Sequence, residues 1–277
     1  MKIDTTSGDF DYTYLSLGAG VQSSALLVLA CQGKVPKPDV AIFADTGDEP
    51  PWVYEYVELL GDYAKAFGIE VITAQRGVLS DWVHRPEVEG GRFASVPIFT
   101  LNEDGTRGML RRQCTLDFKV QPLVRKVREL LGYDPRQRVR HRVRAMIGIT
   151  IDEAQRMKPC PNKWQTNTWP LVDLGLRRED CFEVIEAVGL PKPQKSACVY
   201  CPYHSDAYWQ WMKDEQPGEF HRAVRFDEAI RDLTARGVER PGFVHGSLVP
   251  LAEAVFNTTD PNQVDMFNNE CEGLCGV

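Results

Sequence analysis

The feature that most constrains this chain is an alternation of short apolar runs and helix-length segments near its N-terminus. Tyr12 to Leu17 is a buried-strand run that ends on the turn Gly18-Ala19-Gly20, and Ser23 to Cys31 then reads as a helix closed by Gly33. Asp39 to Ala44 forms a second strand leading into Asp45-Thr46-Gly47. Pro51 suits a helix start, where its missing N–H would have no partner anyway, and the helix over Trp52 to Phe67 stops at Gly68. Ile69 to Thr73 supplies a third strand. Strand–helix–strand–helix–strand with short connections requires parallel strands and right-handed crossovers. The fold expected is α/β, an open, mostly parallel twisted sheet with helices on both faces.

Regularity lapses between Gln75 and Gln113, a stretch carrying Trp82, His84, Arg92 and Arg107, and such length without pattern points to function or mobility. Lys119 to Leu131 and Arg177 to Val188 read as helices, and Arg144 to Ile149 as a strand. From Leu190 the texture changes to Pro191-Lys192-Pro193, a Cys-x-x-Cys pair, aromatic-rich helices and a cysteine-bearing tail. A soft boundary therefore separates an α/β domain, 1–190, from a small cysteine-bearing helical C-terminal region, 191–277. No run of about 18 apolar residues exists to span a membrane, and the polar start Met1 to Thr6 lacks a signal core, so a cytoplasmic location is expected. The net charge of −7 argues against a chain coated in positive charge for nucleic acid. Locally, Arg125, Lys126, Arg128, Arg136, Arg138, Arg140, His141, Arg142 and Arg144 make the 125–144 stretch basic. It reads either as a solvated surface or as a patch that tracks the phosphates of DNA or tRNA.

Three strand ends carry candidate binding residues. Ser16, Gly18, Gly20, Gln22, Ser23 and Ser24 surround the first turn, where backbone amides and a helix N-terminus favour an anion. No Gly-Lys-Ser/Thr ends the turn, and Ser23 stands where a dinucleotide loop has its third glycine. A turn that merely packs is the plain alternative. Asp45 and Thr46 follow the second strand at the edge where open α/β sheets bind ligands, with Asp48 placed to cap the next helix. Gly148, Asp152, Glu153 and Arg156 follow a later strand, where a capped surface helix is equally compatible with the sequence.

The chain holds eight cysteines, and in a reducing compartment clustered cysteines are metal ligands or redox groups more often than disulfides. Cys198-Val199-Tyr200-Cys201 lets two thiolates meet one metal, which is half a site. Cys114 sits among the basic residues Arg111, Arg112 and Lys119, a setting that favours a thiolate and an anionic substrate or phosphate. Cys271 and Cys275 lie in the tail. Cys31 and Cys181 read as core residues, and Cys160 lies on a loop as a reserve ligand. The histidines show no His-x-x-x-His pairing, so a zinc hydrolase finds no support.

In order along the chain, Gly20-Val21-Gln22, Asp45-Thr46-Gly47, Cys114-Thr115-Leu116-Asp117-Phe118-Lys119, Asp152-Glu153-Ala154-Gln155-Arg156 and the cysteine groups resemble the PAPS reductase-like branch of the PP-loop (adenine nucleotide α-hydrolase-like) superfamily. The resemblance implies an adenine nucleotide, with Mg²⁺, held by the three strand ends. It implies a [4Fe–4S] cluster on Cys114, Cys198, Cys201 and Cys271 or Cys275, with zinc as the rival. It also implies a nucleophilic or sulfur-carrying cysteine at Cys271 or Cys275, served by a sulfur donor or thiol reductant protein. The chain departs from the pattern in three places. Gln22 stands where ATP-cleaving members have aspartate, Gln113-Cys114 replaces a tandem cysteine pair, and the tail lacks the final histidine. The expected activity is sulfur transfer to a nucleotide or nucleic acid. Sulfonucleotide reduction to sulfite and a non-catalytic, zinc-stabilised nucleotide- or DNA-binding subunit are the alternatives.

Overall fold

A computed structural model describes residues 9–84 and 96–258. The chain runs through β1 (Tyr12–Leu17), α1 (Val21–Cys31), β2 (Val40–Asp45), α2 (Pro51–Lys65), β3 (Glu70–Gln75) and α3 (Leu79–His84). Then come β4 (Phe99–Leu101), β5 (Arg107–Met109), a π-helical turn (Leu116–Val120), α4 (Gln121–Leu130), β6 (Val143–Ile147) and a 3-10 segment (Ile151–Arg156). The remainder is β7 (Gln165–Thr168), α5 (Pro170–Asp173), α6 (Arg178–Glu186), α7 (Asp206–Glu215), α8 (Pro217–Ala229) and β8 (Gly242–Phe243).

The main sheet has the order β3-β2-β1-β6-β7, and every neighbouring pair is parallel. From β1 the chain steps outward to β2 and β3, then returns to place β6 on the other flank of β1. The order reverses between β1 and β6, and their C-terminal ends flank the crevice where such sheets take ligands. Successive side chains point to opposite faces of a strand. Leu15, Leu17, Phe43 and Met146 accordingly pack with α1, α2 and α6, while Tyr14, Ile42 and Ala145 pack with Leu123 and Val127 of α4. Every residue from Val21 to Ala30 is buried, which explains why α1 is apolar on all sides.

β7 escapes sequence reading because Gln165-Thr166-Asn167-Thr168 carries no apolar alternation. It is an edge strand fixed by its ladder to β6. The stretch without pattern contains α3 and the β4–β5 hairpin, and β8 joins that hairpin to make a small antiparallel sheet of order β5-β4-β8. A second core unites Leu79, Trp82, Ile98 and Phe118 with Tyr200, Trp209, Phe226 and Ile230, so it draws on both sides of Leu190. Arg144 lies inside β6 at 8% exposure with its guanidinium 4.3 Å above the Phe10 ring, so it is not part of the basic surface. Among the described residues no helix is long and apolar enough to cross a membrane.

Candidate functional site

The first turn is held by its own hydroxyls. Ser23 Oγ accepts from the Gly18 amide at 3.1 Å and lies 3.3 Å from the Gly20 carbonyl, and Ser24 Oγ donates to that carbonyl at 2.7 Å. Ala19 adopts φ 57°, a left-handed conformation that costs a residue with Cβ about 1–2 kcal/mol. Gly148 is required here by close approach. A Cβ at that position would lie 2.7 Å from Ser23 N and 2.8 Å from Ser23 Cα. The end of β6 therefore abuts the first turn of α1 and sets its position.

Gln22 occupies the centre of the switch crevice. Its Nε2 donates to Glu153 Oε2 at 3.1 Å and its Oε1 accepts from Arg178 Nη1 at 2.9 Å. Arg156 pairs with Glu153 at 2.6 Å. Asp152 points elsewhere, accepting from the Arg178 backbone amide at 2.8 Å beside Arg177. Arg178 was not anticipated, although a cation in the first turn of a helix opposes the macrodipole and is a signal of another role.

At the end of β2 Asp45 and Asp48 are each held by several donors. Asp45 accepts from Gly47 N at 2.7 Å, Tyr54 Oη at 2.9 Å and Gln75 Nε2 at 2.8 Å. Asp48 does not cap α2, whose N-cap position is Pro50 without a side-chain bond. The acidic residue is instead a junction. Its Oδ2 accepts from the Ser80 amide and from Tyr200 Oη, both at 2.7 Å, and its Oδ1 accepts from Ser80 Oγ at 3.1 Å and Arg222 Nη2 at 3.0 Å. It reaches across because α3, α8 and the knuckle residue Tyr200 bring four donors to one buried carboxylate, a convergence that only tertiary packing produces. Ser80, Tyr200 and Arg222 are thus site-building residues that sequence reasoning missed.

This junction bolts the cysteine knuckle onto the sheet. Val199 N donates to the Asp48 carbonyl at 2.9 Å, and Thr46 Oγ1 lies 3.2 Å from Cys198 Sγ. Ser196 Oγ donates to the Gly18 carbonyl at 2.5 Å, tying the same segment to the Gly18–Gly20 turn. Lys119 and Glu49 form a buried ion pair at 3.1 Å, so Lys119 faces a carboxylate instead of an exposed substrate surface. Glu49 Oε2 is buried without a hydrogen-bond donor among the described residues. Arg112 lies 5.4 Å above the Tyr203 ring, while Arg111 is exposed.

Burial, followed by the nearby Glu49 carboxylate, pushes the Cys198 thiol well above its ordinary range, against the pull of Lys119 and the Thr46 hydrogen bond. Burial and the Asp48 carboxylate push the Tyr200 phenol well above its ordinary range, with smaller contributions from Cys198 and Cys114. The knuckle turn closes through Cys201 N to the Cys198 carbonyl at 2.9 Å. His204 Nε2 lies 3.0 Å from that carbonyl, and burial keeps the imidazole neutral. Cys160 lies near Tyr14, whose phenol it helps raise after burial.

Among the described residues no group of three or more His, Cys, Asp or Glu side chains is placed to hold a metal ion. Cys114, Cys198 and Cys201 therefore do not form a ligand set by themselves, and carboxylates beside Cys198 favour its neutral thiol. Cys271, Cys275 and Arg92 lie outside the described residues.

The chain is similar to a solved phosphoadenylyl-sulfate (PAPS) reductase. That structure, from Candida auris in a phosphate complex, shares 15% identity at a TM-score of 0.39, over 66% of this chain and 76% of that one. At that score the reading of fold and site rests on the strands and side chains described above. No family model and no curated protein matches the chain.

Proposed function

We propose that this chain is an adenine-nucleotide-binding enzyme of sulfur chemistry, which transfers sulfur to a nucleotide or nucleic-acid acceptor. One observation carries the reading. The Cys198 knuckle and the Gly18–Ser24 loop share one sheet edge, joined by Ser196 to Gly18 and by Thr46 to Cys198. An anion-binding turn beside a cysteine pair able to contribute metal or cluster ligands is the arrangement that nucleotide-linked sulfur chemistry needs. In this proposal Ser16, Gly18, Gly20, Gln22, Ser23, Ser24, Asp45 and Thr46 surround the nucleotide, with Gly148, Asp152 and Arg156 behind them. Cys114, Cys198 and Cys201 hold a [4Fe–4S] cluster, or zinc, only if Cys271 or Cys275 completes the set. The remaining tail cysteine carries sulfur. A bound cluster would supply electron transfer or a sulfur-binding iron.

Gln22 supports a second reading, in which the nucleotide is itself the sulfonucleotide substrate. Its carboxamide is fastened between Glu153 and Arg178 where ATP-cleaving members carry a carboxylate. Incubation of the anaerobically purified protein with ATP and acceptor, and separately with PAPS, separates the two. Pyrophosphate release with acceptor-bound sulfur supports transfer, and sulfite release supports reduction. Neither product, with no ATP bound in calorimetry, would sink both.

A further inference from the structure

We propose that the outer face of α4 and the loop that follows it dock a single-stranded nucleic acid, which rests on the reading above that the acceptor is a nucleic acid. The loop sits at the N-terminal edge of the sheet, opposite the nucleotide loops. Arg142 N donates to Asp11 Oδ2 at 2.6 Å, and Asp11 N donates to the Arg142 carbonyl at 2.9 Å, just ahead of β1. Its shape is built. Arg128 donates to the carbonyls of Asp134 and Gln137, while Tyr133 Oη accepts from Arg140 N at 3.1 Å and donates to His141 Nδ1 at 2.7 Å.

What this frame presents is unpaired positive charge. Arg136, Arg138, Arg140 and Arg142 are exposed, as is Arg125 on α4, and none of their guanidiniums has a hydrogen bond or ion pair among the described residues. Elsewhere the protein is acidic, with a net charge of −7 overall, so the concentration of unpaired arginine is local. Guanidinium forks match phosphate oxygens better than they match a flexible acidic side chain in water.

A groove of about 760 Å³ continues from this loop along α4, between Val124 and Arg128 on one wall and Trp164 on the other, with Tyr133 at one end and the acids Glu129 and Asp134 offsetting Arg125 and Arg128 in its lining. Its other end is Leu116, two residues from Cys114. A ten-residue helix spans about 15 Å, enough to connect the two edges of the sheet. Trp164 and Tyr133 in a groove that opens beside the exposed arginines can stack unpaired bases with little regard for sequence, while the arginines hold the backbone. The groove thus leads a strand from the arginine loop toward the cysteine edge.

The test is fluorescence anisotropy of the full chain with a labelled oligothymidylate, its duplex with oligoadenylate, and polyglutamate as competitor. The expected result is preference for the single strand, with log affinity falling against log salt at a slope of about −3, the value for four or five neutralised phosphates. Replacing Arg136, Arg138, Arg140 and Arg142 together by Gln is expected to weaken binding on the order of a hundredfold at about 0.1 M salt. Trp164→Leu is expected to weaken it about tenfold. ATP affinity should be unchanged in both, which certifies folding. The salt slope and a photo-crosslink map on the unaltered chain test the surface without any variant. Tighter duplex binding, equal competition by polyglutamate, or full affinity in the arginine variant would overturn the proposal. Sulfur transfer to nucleic acid with unchanged KM in that variant refutes the surface alone. Strand binding to this face with no transfer refutes only the acceptor reading.

Discussion

The two edges of the main sheet treat charge in opposite ways. At the C-terminal edge Asp45, Asp48, Glu49 and Lys119 are buried and tied to fixed partners, while at the N-terminal edge the guanidiniums of the 136–142 loop are exposed without an ion pair among the described residues. Buried charges are tolerated only when paired and hydrogen-bonded. The first edge is therefore pre-organised, and its geometry is set before any ligand arrives. The second edge leaves its charges solvated, at little cost in stability, and free to meet a mobile polyanion.

The strongest way to break this contrast is Asp48→Ala. It strands the Ser80, Tyr200 and Arg222 donors, and breaking a buried pair this way costs about 3–5 kcal/mol. Arg222 is one-third exposed, so most of that loss belongs to the buried carboxylate and the neutral donors. Urea unfolding should show the loss, with partial recovery in the Asp48→Ala/Arg222→Met double variant. A change below about 1 kcal/mol would mean that water reaches this junction. Gly148→Ala comes next. Its new methyl meets the Ser23 backbone, and overpacking of this kind costs about 1–3 kcal/mol. Thermal unfolding and ATP calorimetry should weaken together, and wild-type ATP affinity at a lowered Tm would detach Gly148 from the nucleotide loop. The smallest effect is expected at the opposite edge, where Arg136→Gln and Arg138→Gln should each move stability by no more than about 0.5 kcal/mol. A larger change in urea unfolding would show that these arginines brace the fold.

Much of the fold was legible because it depends on local pattern. The strand runs read over Tyr12 to Leu17, Asp39 to Ala44 and Ile69 to Thr73 and the helices between them alternate as a parallel sheet requires, and the structure pairs those strands in parallel. β7 was illegible because its residues are polar and a neighbouring ladder holds it in place. The site divides similarly. Gly18, Gln22 and Thr46 stood out as residue types at strand ends, and Cys198 as half of a Cys-x-x-Cys pair. Arg178, Ser196 and Arg222 did not, because each acts through a partner more than 150 residues away in sequence.

The sequence by itself determined the strand–helix alternation, the turn at Gly18–Gly20 and the concentration of arginine after α4. Those follow from spacing and from the chemistry of individual side chains. Only the tertiary structure decided that Asp48 serves as a buried junction instead of a helix cap, that Lys119 answers to Glu49, and that Arg144 is buried over Phe10 while Arg140 and Arg142 face solvent. The reason is physical. A charged group's role depends on which distant donor or acceptor accompanies it out of water, and folding alone makes that choice.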